Sequence, residues 1–437
     1  MEKINTTDLL SWQEHYQLIK ENNLVQKALV KNEIDTVAIN GNRYKDLAPH
    51  FTISLDTLPV TNQMKSGRCW IFAGCNIIRQ KIAKLYNLEN FELSQSYLAF
   101  YDKLEKANFL METLLQLSDS PEDERTRYFK LTTGVEDGGQ WDMFVHLVKK
   151  YGLVPKEVMP ETYQSSHTNQ LNRIINTKIR QFAAFVQEKK ANLSALKKKA
   201  LEDIYKILVD CYGMPPTKFS FEYTDKNSKY HCIEDITPLD FYEQYSDIDL
   251  DEYISIIHAP TVDKPYHHLF NVKWLGNVIE APGVRYLNLP LTEFKKIIVQ
   301  QLRALEPVWF GSDCNQGFSR ADGIWDPLLL DYETTFQVDL EMDKAERLNT
   351  FESTMNHAMV LVGVNLEQEK IHKWKIENSW GKDKGKDGYY VASDEWFDNF
   401  VYQAVVKKKY LTVEQQQILN QEPIVLPPWD PFGTLAS

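Results

Sequence analysis

The sequence predicts an α+β fold, with helices gathered first and strands last. Two stretches carry that reading. Between Glu161 and Tyr212 there is no Gly and no Pro, and Leu171, Ile174, Ile175, Ile179, Phe182, Phe185 and Val186 recur at helical spacing. After about residue 300 come short β-rich segments bounded by Gly, Asp and Asn: Pro307-Val-Trp-Phe, His357-Ala-Met-Val-Leu-Val, Lys373-Trp-Lys-Ile and Gly388-Tyr-Tyr-Val. Helices and strands segregated along a chain favour α+β over the alternating α/β pattern.

In chain order, Ser11 to Lys27 carries a helical pattern between polar connectors. A further helix is predicted from Gly67 to Leu85, because Trp70, Ala73, Ile77, Ile78, Ile82 and Leu85 recur every three or four residues. The stripe from Leu171 to Val186 reads as a packing face. Asn192 to Ser194 breaks it before another helix through Ile204 and Leu208. Trp374 and Ile376 alternate with Lys373, Lys375 and Glu377, as in an antiparallel strand buried on one face. Four of the 18 prolines fall between Pro423 and Pro431, so the tail reads as an extended, weakly self-associating arm.

The 437 residues are 43% hydrophobic, ample for a large core. With 61 acidic residues against 49 Lys+Arg, the formal charge is −12, which argues against nucleic acid or an anionic membrane as partner. Lys189/Lys190, Lys197–Lys199 and Lys407–Lys409 are expected to be solvated faces. No apolar run nears the ~18–20 residues of a membrane span. The first residues lack the basic and apolar regions of a secretory signal, so a cytoplasmic location is expected. Five cysteines are too few, and odd, for a disulfide framework.

Gly-x-Ser-x-Gly, His-Glu-x-x-His, Cys-x-x-Cys and Gly-x-Gly-x-x-Gly are all missing. Gly381 to Lys386 is one residue short of a phosphate loop. His267 and His268 are adjacent and would point to opposite faces of a strand, so they cannot form one metal site together. What remains is a thiol. Gln63-Met-Lys-Ser-Gly-Arg-Cys69-Trp70 puts Cys69 two residues into the predicted helix, where the positive helix end would stabilise a thiolate. His357 opens an apolar strand, and Asn378 follows the next one in Glu377-Asn-Ser-Trp-Gly381. A cysteine nucleophile needs a base, and the base needs a third group to fix its tautomer. The Gln63 amide, six residues before the thiol, is placed to donate to an oxyanion. Singly, each residue has a plainer reading: a core cysteine (as Cys75 is read), a structural histidine, an asparagine in a turn.

Together these motifs resemble the papain-like cysteine peptidases, and more closely their bleomycin hydrolase/aminopeptidase C branch. The resemblance rests on Val60-Thr-Asn-Gln63, Ser66-Gly-Arg-Cys69-Trp70, Phe72-Ala, Asp137-Gly-Gly-Gln-Trp-Asp142, Asn356-His357-Ala358, Glu377-Asn378-Ser-Trp-Gly381 and the tail Pro428-Trp-Asp-Pro-Phe-Gly. It implies a two-lobed fold, a helical lobe plus a β-barrel-like lobe, with Cys69 as nucleophile, His357 as general acid/base, Asn378 as orienter of the imidazole and Gln63 as oxyanion donor. Trp380 would shield the His–Asn hydrogen bond, and Gly138 and Gly139 would line the cleft for an extended peptide. The implied activity is that of a cytosolic cysteine aminopeptidase acting through an acyl thioester without a cofactor, in a ring-shaped homohexamer. The alternatives are an endopeptidase of the same fold and, from another class, a nucleic-acid-binding protein on this scaffold.

Cys69 and His357 stand 288 positions apart (357 minus 69), against roughly 130–150 in minimal papain-like enzymes. Insertion is therefore expected. The implied organisation is an N-terminal helical arm (1–50), a helical lobe with the nucleophile helix (51–160), an inserted helical and hook-like region (161–270), a β-rich lobe with His357 and Asn378 (271–420) and a C-terminal arm entering the cleft (421–437). Ser66 and Glu136 stand where secreted relatives carry a cysteine pair, which implies a reducing compartment. By the same resemblance, the arm's terminal carboxylate attracts the substrate's α-amino group. Ala436 and Ser437 are the residues expected there; the extra Ser437 keeps the endopeptidase alternative open.

Overall fold

A computed structural model describes residues 1–118 and 124–434, so Ala436 and Ser437 lie outside the described residues. Helix Cys69–Leu85 is apolar on nearly every face, and such a helix has to be buried; Trp70, Phe72, Ile78 and Ile82 are among its fully enclosed residues. The helix starts at Cys69 rather than Gly67. Around it pack helices Gln95–Gln116 and Trp141–Tyr151. The close approach to the second depends on Gly74, where a Cβ would stand 2.7 Å from the Phe144 ring.

The Gly/Pro-free stretch forms helices Asn169–Gln187 and Leu193–Tyr212. Leu171, Ile175, Ile179, Phe182 and Val186 are buried, whereas Ile174 sits at the solvent flank of the stripe. Asn192 ends the break in the left-handed region, at φ 64.

The β-rich segments become strands Val308–Ser312, His357–Glu367, Lys370–Glu377 and Tyr389–Ser393 of a 12-stranded sheet. All three pairings between them are antiparallel. Two findings depart from expectation. Strands Tyr253–Ile257 and His268–Val272, from the stretch expected to be helical and hook-like, join this main sheet. Tyr253–Ile257 is buried at all five positions, so it shows no alternation to read. Glu377, expected at the polar face of its strand, is buried and pairs with buried Arg79 at 3.0 Å.

The tail is anchored rather than loose. Ile424–Leu426 pairs in parallel with His268–Val272, Phe432 is buried, and Asp430 meets Lys264 at 2.8 Å. The lysine clusters lie beside acids: Lys197 pairs with Glu112, Lys199 with Asp203, and Lys407 and Lys409 with Glu306. Among the described residues no helix is long and apolar enough to cross a membrane.

Candidate active site

Cys69 is the first residue of its helix, and the helix end points at the start of strand His357–Glu367. The Cys69 Sγ accepts the Ala358 N–H at 3.4 Å. The hydrogen bond at Sγ thus comes from the residue after His357.

His357 is the first residue of its strand, paired across with Ser312. Asn378 lies one residue beyond the adjoining strand, and its Oδ1 stands 2.9 Å from His357 Nε2. The Ser379 N–H donates to the same oxygen at 2.7 Å, which independently fixes how the amide points. With an oxygen acceptor at Nε2, that nitrogen carries the proton and Nδ1 is the basic one. Trp380 stacks on the imidazole with ring centres 4.8 Å apart at 24°, and the Arg320 guanidinium lies 4.7 Å from the Trp380 ring centre.

Burial pushes the Cys69 thiol up to about 12, against the pull of the Ala358, Trp70 and Cys69 N–H groups. Burial also pushes His357 down to about 4, against the Asn378 hydrogen bond. The helix end supplies donors to the sulfur, and burial works against them on the thiol and against the charged form of the imidazole.

Gln63 is buried beside the same segment. Its Nε2 donates to Ser66 O at 2.6 Å, its Oε1 accepts Ser379 Oγ–H at 2.6 Å, and its backbone N–H donates to Ser379 O at 2.8 Å. A carboxamide has two N–H donors, so one remains for an oxyanion.

A Cβ at Gly139 would fall 2.5 Å from the Trp70 ring, so its bare Cα lets that indole pack closely. The Gly138 carbonyl is taken by Lys106 Nζ at 2.5 Å. The arm does reach this region: Gln140 Nε2 donates to Thr434 O at 3.1 Å, and Thr434 Oγ1 donates to Met355 O at 3.0 Å. A cavity of about 540 Å³ adjoins it, lined by Lys106, Glu136, Trp274, Met355, Asn356 and Thr434 among others.

Sequence reasoning quoted Asp137 in a motif but gave it no role. Its carboxylate accepts from Gly67 N–H (2.8 Å), Lys103 Nζ (2.5 Å), Asn172 Nδ2 (3.0 Å) and the Thr168 hydroxyl, and its carbonyl accepts Trp70 Nε1–H at 2.7 Å. Burial opposes ionisation, yet Lys103, Thr168 and Asn172 override it and hold Asp137 well below the usual carboxylate range. Next to Cys69, Arg68 forms a two-pronged ion pair with Glu161 at 3.0 and 2.9 Å. The loop leading to the thiol is thus fixed from both sides. Among the described residues no cluster of three His, Cys, Asp or Glu side chains is arranged to hold a metal ion.

A family model described as the peptidase C1-like family matches residues 3–433. The chain is 47% identical over 400 residues to aminopeptidase C of Lactobacillus delbrueckii subsp. lactis, covering 90% of this chain and 89% of that one. It is 43% identical to aminopeptidase C of Listeria monocytogenes serovar 1/2a over 94% of each chain, and 39% identical to Homo sapiens bleomycin hydrolase over 86% of each. The crystal structure of PepW from Lactobacillus rhamnosis HN001 matches with a TM-score of 0.97 at 47% identity, covering 99% of both chains.

Proposed function

The chain belongs to the peptidase C1-like family, and on that premise we propose a cysteine aminopeptidase whose catalytic groups are Cys69, His357, Asn378 and Gln63. The observation that carries the assignment is the His357–Asn378 hydrogen bond beside a thiol held by the Ala358 N–H. Nδ1 of His357 takes the Cys69 proton as sulfur attacks the peptide carbonyl. The free Gln63 N–H and the helix-end N–H groups stabilise the oxyanion. His357 then returns the proton to the departing amine, and water hydrolyses the thioester by the same base. Trp380 keeps water from the His–Asn bond, where a low dielectric strengthens it.

Relatives named aminopeptidase C match 89–95% of the chain, which favours aminopeptidase over endopeptidase action. The anchoring of Thr434 beside Gln140 and Met355 supports an arm that closes the acyl side of the cleft. A negative charge carried by the arm there would meet a substrate's α-ammonium group. Five unbridged cysteines support a reducing, cytoplasmic setting. The homohexamer rests on the family resemblance. The acids beside the lysine clusters leave a nucleic-acid role without support.

Hydrolysis of an aminoacyl anilide with a free α-amine, compared with its N-acetylated form, tests the reading. A preference for the free amine of about tenfold or more is expected; a preference for the blocked form would overturn it.

A further inference from the structure

Arg320 follows the short strand Phe318–Ser319 and is exposed. Stacking on Trp380 holds its guanidinium in place but uses none of its five N–H donors. Asp322, the acid two residues on, is occupied by Tyr44 Oη–H at 2.9 Å and Ser319 Oγ–H at 2.5 Å. Among the described residues Arg320 has that stack and no salt bridge.

The general acid decides which half of the cleft this is. His357 must hand its proton to the departing amine, so the leaving part of the peptide passes over the imidazole. Trp380 stacks on that ring and Arg320 lies over Trp380, whereas Thr434 of the arm sits with Gln140 and Met355. The guanidinium lies two stacking contacts from the imidazole, 4.8 and 4.7 Å. A carboxylate hydrogen-bonded to it would end a leaving segment of about one or two extended residues, at ~3.3 Å each.

We propose that Arg320 is a leaving-side subsite for the free α-carboxylate of short peptides, which selects di- and tripeptides over longer or C-terminally blocked ones. The inference rests on the aminopeptidase reading and deepens it. An arginine fork matches a carboxylate in two-pronged geometry. Arg320 sets a positive charge opposite the carboxylate end of a zwitterionic peptide on the leaving side.

The test compares kcat/KM for the dipeptide Leu-Ala, its C-terminal amide and leucine p-nitroanilide, using the full-length wild type, Arg320→Ala and Arg320→Glu. Wild type should favour the free carboxylate over the amide by about three- to tenfold, less as salt is raised. Arg320→Ala should bring that ratio near one, and Arg320→Glu should invert it. Any general effect of Arg320 on Trp380 or His357 cancels in the ratio. A wild type without the preference, or a preference that both variants retain, overturns the subsite. If wild type cleaves the anilide, the aminopeptidase reading survives that result; if it cleaves none of the three, both readings fall.

Discussion

His357 Nε2 stands 2.9 Å from Asn378 Oδ1, across neighbouring strands and 21 positions apart in sequence. Because Ser379 N–H pins the same oxygen, the imidazole has one favoured tautomer, with Nδ1 left as the base. Asn378→Ala should lower kcat about 10- to 100-fold with little change in KM, since orientation matters to the proton transfers and not to ground-state binding. Unchanged kcat would reduce Asn378 to a turn residue.

The pH profile follows from burial. His357 is pushed down to about 4, so the base stays free well below the ordinary histidine range. As pH falls through about 4 the ring gains a proton and activity is lost. The acid limb of kcat/KM should therefore lie near pH 4; a limb near the unperturbed ~6.5 would contradict a desolvated imidazole.

Asp137 fastens Gly67, two residues before Cys69, to Lys103 and Asn172. Its pKa is depressed in the fold, so its contribution to stability is full above the unfolded value of ~3.9 and is lost as pH falls toward the folded one. Asp137→Asn leaves Lys103 charged and buried without its counter-ion. Urea unfolding at neutral pH should show a loss on the order of 3–5 kcal/mol, narrowing in acid. A variant as stable as wild type would remove Asp137 from this role.

Glu377 closes the strand that carries Asn378, and its only charged partner at contact distance among the described residues is Arg79. Glu377→Ala strands a buried guanidinium, with an expected cost of about 3–5 kcal/mol in chemical denaturation. A change below about 1 kcal/mol would show that the pair contributes little.

The candidate site was legible because Cys69, His357 and Asn378 each sit where a regular element starts or stops, inside short motifs of distinctive residues. Helix Cys69–Leu85 and strand Lys370–Glu377 announced themselves by period. The rest was hidden for physical reasons. Lys103 and Asn172 sit on two helices, with Thr168 just before the second, that only tertiary packing brings to Asp137, and no local spacing marks them. Tyr253–Ile257 is too short and too evenly apolar to declare itself a strand. The close packing of Gly139 against the Trp70 ring joins two segments far apart in sequence, so no local pattern marks it. Burial pushes the thiol up, which a helix-end argument does not contain.

Turnover of a free-amine aminoacyl anilide by Cys69→Ala tests the central claim most directly. Thermal unfolding measured alongside should shift little, because a small buried side chain gives way to a smaller one. We expect turnover to fall by about 10³-fold or more. A folded Cys69→Ala protein that keeps wild-type turnover would contradict Cys69 as the nucleophile.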